Sequence, residues 1–320
     1  MPAANAPRLT VGDSTITGLF EQPLDGINML LGADTQQVRE IDWLTPRYAA
    51  ETGELHGNVQ AFLVQHEGMT IMVDTCVGNG KSISIVPAWD HMNTPFLDRL
   101  NALGATPESV DYVLPTHLHL DHVGWQTWWD GNAWQPTFLN ARHLLSLQEY
   151  EYWGSHRHCT PLAVDDAGNE IEAMRIMFDE TQRRVHEESV QPVIDAGLVD
   201  LVDPPYDVVP GIRIIPTPGH TPGHISVEIT SGGHRAVISG DLFHHPCQIA
   251  QPHWASLPDT DAEQSTASRR ALLAELAGTQ TLLVGTHFAE PWAGLIVADG
   301  DTYRFEPCDR PHLQIPRCAT

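Results

Sequence analysis

The stretch Thr116-His117-Leu118-His119-Leu120-Asp121-His122 places three imidazoles and a carboxylate within six consecutive positions. Imidazole and carboxylate are the ligands that borderline divalent metals such as zinc prefer, and this density brings several lone pairs within reach of a common point. The apolar residues 112–114 just before it read as a strand. Alternation along an extended chain then sends His117 and His119 to one side, while Asp121 and His122 turn toward a neighbouring point as the chain enters a helix. The segment therefore reads as parts of two half-sites rather than one.

Further metal-ligand side chains occur downstream, each just past a β-branched run. Thr217-Pro-Gly-His220-Thr-Pro-Gly-His224 follows the run 212–216, Gly240-Asp241 follows 236–239, and Gly285-Thr-His287 follows 281–284. Strand ends are where a rigid scaffold presents chemistry on loops, and the Pro and Gly residues around His220 fix a tight turn. The remaining pattern predicts strands over 59–65, 69–74, 138–140, 225–229, 294–298 and 302–305, with helices over 95–103, 146–153 and 262–277. Residues 154–198 are charged and helical in pattern, and read as a helical insert near the site. Strands and helices thus recur in two similar halves with no Pro-, Gly- or Ser-rich linker between them. The economical reading is one domain over 57–320, two layers of sheet between helices, preceded by an N-terminal extension over 1–56. The extension carries Ile41-Asp-Trp43-Leu and Pro46-Arg-Tyr48, read as packing over a neighbouring subunit of a homodimer.

The set His117-x-His119-x-Asp121-His122, then His220, Asp241 and His287, each after a strand, resembles the metallo-β-lactamase fold. The resemblance runs from about Gly57 to Pro307 and includes the strand end Val73-Asp74-Thr75. It implies an α/β protein, an αββα sandwich of two mixed sheets flanked by helices, with a dimetal centre at one edge. By the same resemblance His117, His119 and His220 hold one metal, Asp121, His122 and His287 the other, and Asp241 bridges them; the cofactors are two divalent ions, zinc foremost. Asp241 stands where one β-lactamase branch places a Cys, which argues against that branch. The segments Gln248-Ile-Ala-Gln-Pro252, Leu257-Pro-Asp-Thr-Asp261 and Tyr303-Arg-Phe-Glu-Pro307 look like the methyl parathion hydrolase branch, a neighbour of the N-acyl homoserine lactonases. Those lactonases have a Tyr three residues after the bridging Asp; this chain has His244 there, so His244, or His245 beside it, is the candidate donor to a substrate carbonyl.

Composition narrows the partners. The chain has 320 residues, 42% of them hydrophobic, and a net charge of −24 from 41 acidic side chains against 16 Arg and the single Lys81. Such a chain has no evident grip on phosphate backbones, and nucleic acid and membrane surfaces are not expected partners. No apolar run reaches the ~18 residues of a membrane span, and residues 1–8 carry no signal-peptide pattern, so a cytoplasmic location is expected. The five Cys are scattered and form no CxxC pair, which argues against a disulfide framework or zinc ribbon.

Two metals ~3.5–4 Å apart that share a water lower its pKa from ~15.7 toward ~7, so a bridging hydroxide would serve as nucleophile without a Ser or Cys triad. Asp121 then has a second role, passing a proton to the leaving alkoxide, while Asp74 and His224 orient ligands from behind. Trp125, Trp128, Trp129, Trp134, Tyr150, Tyr152 and Trp153 cluster after the motif, and some of them, with Phe243, would line an apolar pocket. With few cations near the motifs, the expected activity is hydrolysis of neutral carboxylic esters or lactones, with aryl phosphotriesters as side substrates. The competing readings are a mononuclear iron dioxygenase of the same fold, a β-lactamase, and a non-catalytic protein stapled by its metals.

Overall fold

The computed structural model describes residues 7–154 and 170–308. The chain opens with strands β1 (Arg8–Val11) and β2 (Ser14–Leu24), followed by the short helices α1 (Ile27–Leu30) and α2 (Thr35–Arg39). Next come β3 (Gly57–His66), β4 (Met69–Val73), α3 (Phe96–Ala102), β5 (Tyr112–Leu114), the small hairpin β6 (Thr127–Trp129) and β7 (Trp134–Pro136), and β8 (Arg142–Ser146). Helices α4 (Leu147–Gly154), α5 (Glu170–Val185) and α6 (Gln191–Asp195) precede β9 (Val199–Val202), with a π-helical turn at His186–Val190 between α5 and α6. The second half contains β10 (Tyr206–Val209), β11 (Ile212–Pro216), β12 (Ile225–Ser231), β13 (His234–Ile238), α7 (Cys247–Ala250), α8 (Ala262–Leu276), β14 (Leu282–Val284), β15 (Ala293–Asp299) and β16 (Thr302–Pro307).

These strands build two mixed seven-stranded sheets, ordered β1-β2-β3-β4-β5-β8-β9 and β10-β11-β12-β13-β14-β15-β16. The first is antiparallel from β1 to β4 and parallel from β4 through β5 and β8 to β9, whereas the second is antiparallel apart from the parallel pair β13–β14. The apolar faces of both sheets share one continuous core, from Ile16, Phe62 and Ile71 in one to Val227, Ile238 and Leu283 in the other. The architecture is the αββα sandwich, two sheets between helices.

Several expectations change on the structure. Within the N-terminal extension β1 pairs with β2 and β2 pairs with β3, so residues 8–24 contribute two strands to the first sheet. Of the side chains read as facing a second subunit, Ile41, Leu44 and Tyr48 join the core of this chain, the Tyr48 hydroxyl donating to the Pro291 carbonyl at 2.6 Å, while Trp43 is half-buried and Pro46 and Arg47 are exposed. The strand expected over 138–140 is a turn, and pairing begins at Arg142 instead. The metal motif does not enter a helix; it remains an irregular loop that closes in a 3-10 turn at Gly124–Gln126. Of the helical insert over 154–198, residues 155–169 lie outside the described residues.

Strand register places the site. In the parallel pair β13–β14, Ile238 lies opposite Val284, so Asp241 and His287, each three residues further on, leave the sheet side by side. In β4–β5, Val73 lies opposite Leu114, which sets Asp74 beside the start of the metal motif. The bridge Gly57↔Phe288 and the bond from the Asn58 N–H to the His287 carbonyl, 3.0 Å, tie the two sheets together at this edge.

Candidate metal centre

All seven side chains singled out in the sequence converge at the edge where β5, β11, β13 and β14 end. Asp241 is the hub. Its Oδ2 lies 3.5 Å from His220 Nε2 and 3.8 Å from His117 Nε2, while its Oδ1 lies 3.2 Å from His122 Nε2 and 3.1 Å from His287 Nε2. One oxygen thus faces each half of the cluster. On the first side His119 Nδ1 stands 2.9 Å from His220 Nε2. On the second, Asp121 reaches His122 Nε2 at 3.6 Å and His287 Nε2 at 3.5 Å. The atoms of His117, His119 and His220, and those of Asp121, His122 and His287, each lie within 4.8 Å of one another.

The loops that carry these groups are shaped by close approaches. Gly240, at φ +55°, lies so near the neighbouring loop that a Cβ would sit 2.7 Å from His224 Nε2 and 2.8 Å from Thr116 Cβ; glycine lets Asp241 come in over both. Gly219, at φ +131°, would meet the Ser265 backbone nitrogen at 2.1 Å, so only glycine allows the His220 turn to pack on the start of α8. His224 Nε2 accepts the Asp241 backbone N–H at 3.0 Å, and its other nitrogen is 2.9 Å from the Thr217 hydroxyl. Asp74 adopts the left-handed conformation, φ +61°, a strain of order 1–3 kcal/mol. Its carboxylate accepts from the Thr116 N–H at 2.7 Å and its other oxygen is 3.1 Å from His122 Nδ1.

The outer nitrogens of three of the imidazoles are committed, which leaves their inner ones to a shared ligand. His220 Nδ1 is 2.8 Å from Asp259 Oδ1, His287 Nδ1 is 2.8 Å from the Asn58 carbonyl, and His117 Nδ1 is 3.1 Å from the Thr116 hydroxyl. Facing inward, His117 Nε2, His122 Nε2, His244 Nε2 and Asp241 Oδ1 are buried without a hydrogen-bond partner. Buried polar atoms are almost always satisfied, so this convergence of nitrogen and carboxylate donors fits divalent cations such as zinc. Electrostatics agree. Burial drives His117 and His119 well below the ordinary imidazole value, aided by the other rings, which keeps their lone pairs available. Around His122 and His287 burial is outweighed by Asp241 and the other carboxylates, so both are raised; that surplus of carboxylate is what draws positive charge to this half of the cluster.

His244 enters the cluster as well. Its Nε2 is 3.2 Å from Asp241 Oδ2, and its ring stacks on His287 at 5.9 Å and 11°. With His220 and Asp241 it forms a further group able to hold a cation. His245 does not reach the site: its Nε2 is 2.9 Å from the Tyr48 carbonyl and its Nδ1 accepts the Cys247 N–H at 3.0 Å. Of the aromatic cluster, Trp153 stands 5.4 Å from the His119 ring, opposite Phe178 of α5 at 5.2 Å. Trp125 is instead core, stacked on Phe96; Trp128 and Trp129 are about half exposed on the hairpin, and Phe243 is fully buried.

Sequence reasoning did not find three contributors to the site. Asp259 backs His220, the Asn58 carbonyl backs His287, and Glu149 of α4 accepts the N–H groups of Leu118 and Gly223, both at 3.0 Å, bracing the two histidine loops at once. None sits in a run of metal-ligand residues, so local pattern gives no signal for them.

The model describing the metallo-beta-lactamase superfamily matches residues 56–287. An N-acyl homoserine lactonase from a Bacillus species is 28% identical over 130 residues, 41% of this chain and 37% of that protein, so the matched segment spans well under half of the curated relative. The lactonase AttM of Agrobacterium fabrum is 41% identical over 56 residues, 18% of each chain. Among solved structures, hydrolase AbOPH of the beta lactamase superfamily superposes with a TM-score of 0.74 at 26% identity over 95% of this chain and 98% of its own. AidC, a dizinc quorum-quenching lactonase, superposes with a TM-score of 0.72 at 19% identity over 95% of this chain and 97% of its own, a likeness of fold.

Proposed function

The chain belongs to the metallo-beta-lactamase superfamily, and from that premise we propose that it is a dimetal hydrolase of neutral carboxylic esters and lactones, with acyl homoserine lactones as the first class to test and aryl phosphotriesters as side substrates. The observation that carries the reading is the division of Asp241, one oxygen toward His117 and His220, the other toward His122 and His287. A carboxylate so placed holds two half-sites at a fixed separation.

His117, His119 and His220 would hold one divalent ion and Asp121, His122 and His287 the other, with Asp241 between them. Bound there, the two ions supply Lewis acidity and lower the pKa of water at the centre. The chain's own groups do the rest. Asp121 is the most exposed of the seven, its side chain 14% accessible, so after attack it could take up the proton of the attacking hydroxyl and pass it to the leaving alkoxide. His244 is held neutral, since burial lowers it more than Asp241 raises it; its Nε2 stands where a carbonyl oxygen near Asp241 would need a donor. Trp153 and Phe178 flank His119 and offer an apolar wall to an acyl chain or aryl group. The net charge of −24 disfavours anionic substrates. Both half-sites have their own complete set of donors, which favours two ions over a single iron.

The test is hydrolysis of a panel of lactones, aryl esters and aryl phosphotriesters by zinc-loaded wild type, His119→Ala and Asp121→Asn. Loss of at least about 100-fold in kcat/KM in both variants is expected, on the scale of removing one group that stabilises or protonates a transition state. Equal rates in wild type and His119→Ala would refute the reading.

A further inference from the structure

The imidazoles of the centre differ in what stands behind them. His287 leans on a backbone carbonyl and His117 on a hydroxyl, but His220 meets a carboxylate, with Nδ1 2.8 Å from Asp259 Oδ1. That carboxylate is itself held. The Ser256 hydroxyl donates to Oδ1 at 2.6 Å, the Ser256 N–H to Oδ2 at 3.1 Å, and the Arg269 guanidinium lies 3.7 Å from Oδ2. Both Asp259 and Arg269 side chains are fully buried. Arg269 also donates to the Leu242 carbonyl at 3.3 Å, the residue after Asp241, to the Pro252 carbonyl at 2.9 Å and to the Ser265 hydroxyl at 2.6 Å. Two backbone bonds close the segment around the ligand, Thr260 N–H to the His220 carbonyl and Asp261 N–H to the Gly219 carbonyl, both 2.9 Å.

A buried ion pair contributes little net stability, because desolvation of both charges offsets their attraction. What this one does contribute is geometry and charge at a ring nitrogen: a carboxylate on Nδ1–H fixes the tautomer, points Nε2 inward and raises its basicity. Among the described residues, this is the carboxylate directly behind an imidazole of the first half-site, whereas the second has Asp74 behind His122. We propose that Asp259, braced by Arg269 and Ser256, is a positioning residue that sets the metal affinity of the His117/His119/His220 half-site independently of the other half-site. This rests on the dimetal reading of the centre.

The test is zinc content per chain after dialysis of zinc-saturated protein against graded chelator, for wild type, Asp259→Asn and Ser256→Ala, with circular dichroism recorded on each sample. In Asp259→Asn one of the two zinc ions is expected to leave at about 10- to 100-fold lower chelator concentration, the scale of outer-shell changes at zinc sites, while the other leaves as in wild type. Ser256→Ala keeps the carboxylate and is expected to shift the same single ion by a few-fold. If both ions shift together, or neither shifts, the half-site role is overturned; if Asp259→Asn does not fold, unchanged release in Ser256→Ala overturns it. A wild type that retains no zinc refutes the dimetal reading itself, whereas two zinc ions in wild type with unaltered release in both variants leaves that reading intact and removes only the role of Asp259.

Discussion

At the scale of single residues, the chain's one lysine is its most unusual charge. Lys81 is fully buried, donates to the Thr127 hydroxyl at 2.7 Å, and sits 3.4 Å from the centroid of the Trp134 ring. Its remaining bond, 3.4 Å, goes to the Glu188 carbonyl, which the π-helical turn presents to it. Burial pushes its pKa down to about 7, with Glu188 offsetting part of the effect. An unfolded lysine keeps its proton to about 10.4, so between these values the unfolded chain binds more protons and stability from this group rises with pH. Urea unfolding of wild type and Lys81→Met at pH 7 and pH 9.5 checks the sign. The wild type is expected to gain on the order of 2–3 kcal/mol relative to the variant across that interval, and an equal change in both proteins would contradict it. The residues of the centre were legible because His and Asp stood at strand ends in a recognisable order. Asp259 was not, since its partner His220 lies 39 positions away and only the return of the chain brings them together.

At the scale of elements, the site depends on loops being held by helices that contribute no ligand. Glu149 of α4 accepts from Leu118 N–H, Gly223 N–H and Trp153 Nε1–H, the last at 2.6 Å. Replacing it with Ala leaves those donors buried and unpaired, and each such loss costs about 1–3 kcal/mol. Glu149→Ala is therefore expected to lose at least about 3 kcal/mol in urea unfolding, together with most of its zinc retention; a loss under about 1 kcal/mol would show that the loops hold without it. Elements with clean alternation or a full helical period were readable: β5, β11 and α8 match the residues expected to within one position. β1 and β2 were not, because Gly18 and Pro23 interrupt the alternation and the stretch looked like an appendage. α1 and α2 span only 4 and 5 residues, too short for a 3.6-residue period to show. The expected strand at 138–140 failed because Leu139 and Asn140 form the turn that feeds β8.

At the scale of the whole molecule, two mixed sheets bring four strand ends to one edge, and the bridge between Gly57 and Phe288 locks those ends together. The centre thus draws on residues from both halves of the chain. The paired arrangement was visible in the recurrence of strands and helices, while the reach of the first sheet back to Arg8 came only with the structure. Binding at a site built from both sheets stabilises the folded form over the unfolded one, so cations held by the inward-facing donors would stabilise the whole fold. The most direct test of the central claim is the rate of lactone ring opening, followed by proton release, as zinc is added back in measured equivalents to metal-stripped protein that remains folded. No measurable turnover is expected without metal, with a rise that levels off at two equivalents per chain. Turnover at full rate in the stripped protein, or a plateau at one equivalent, would contradict it.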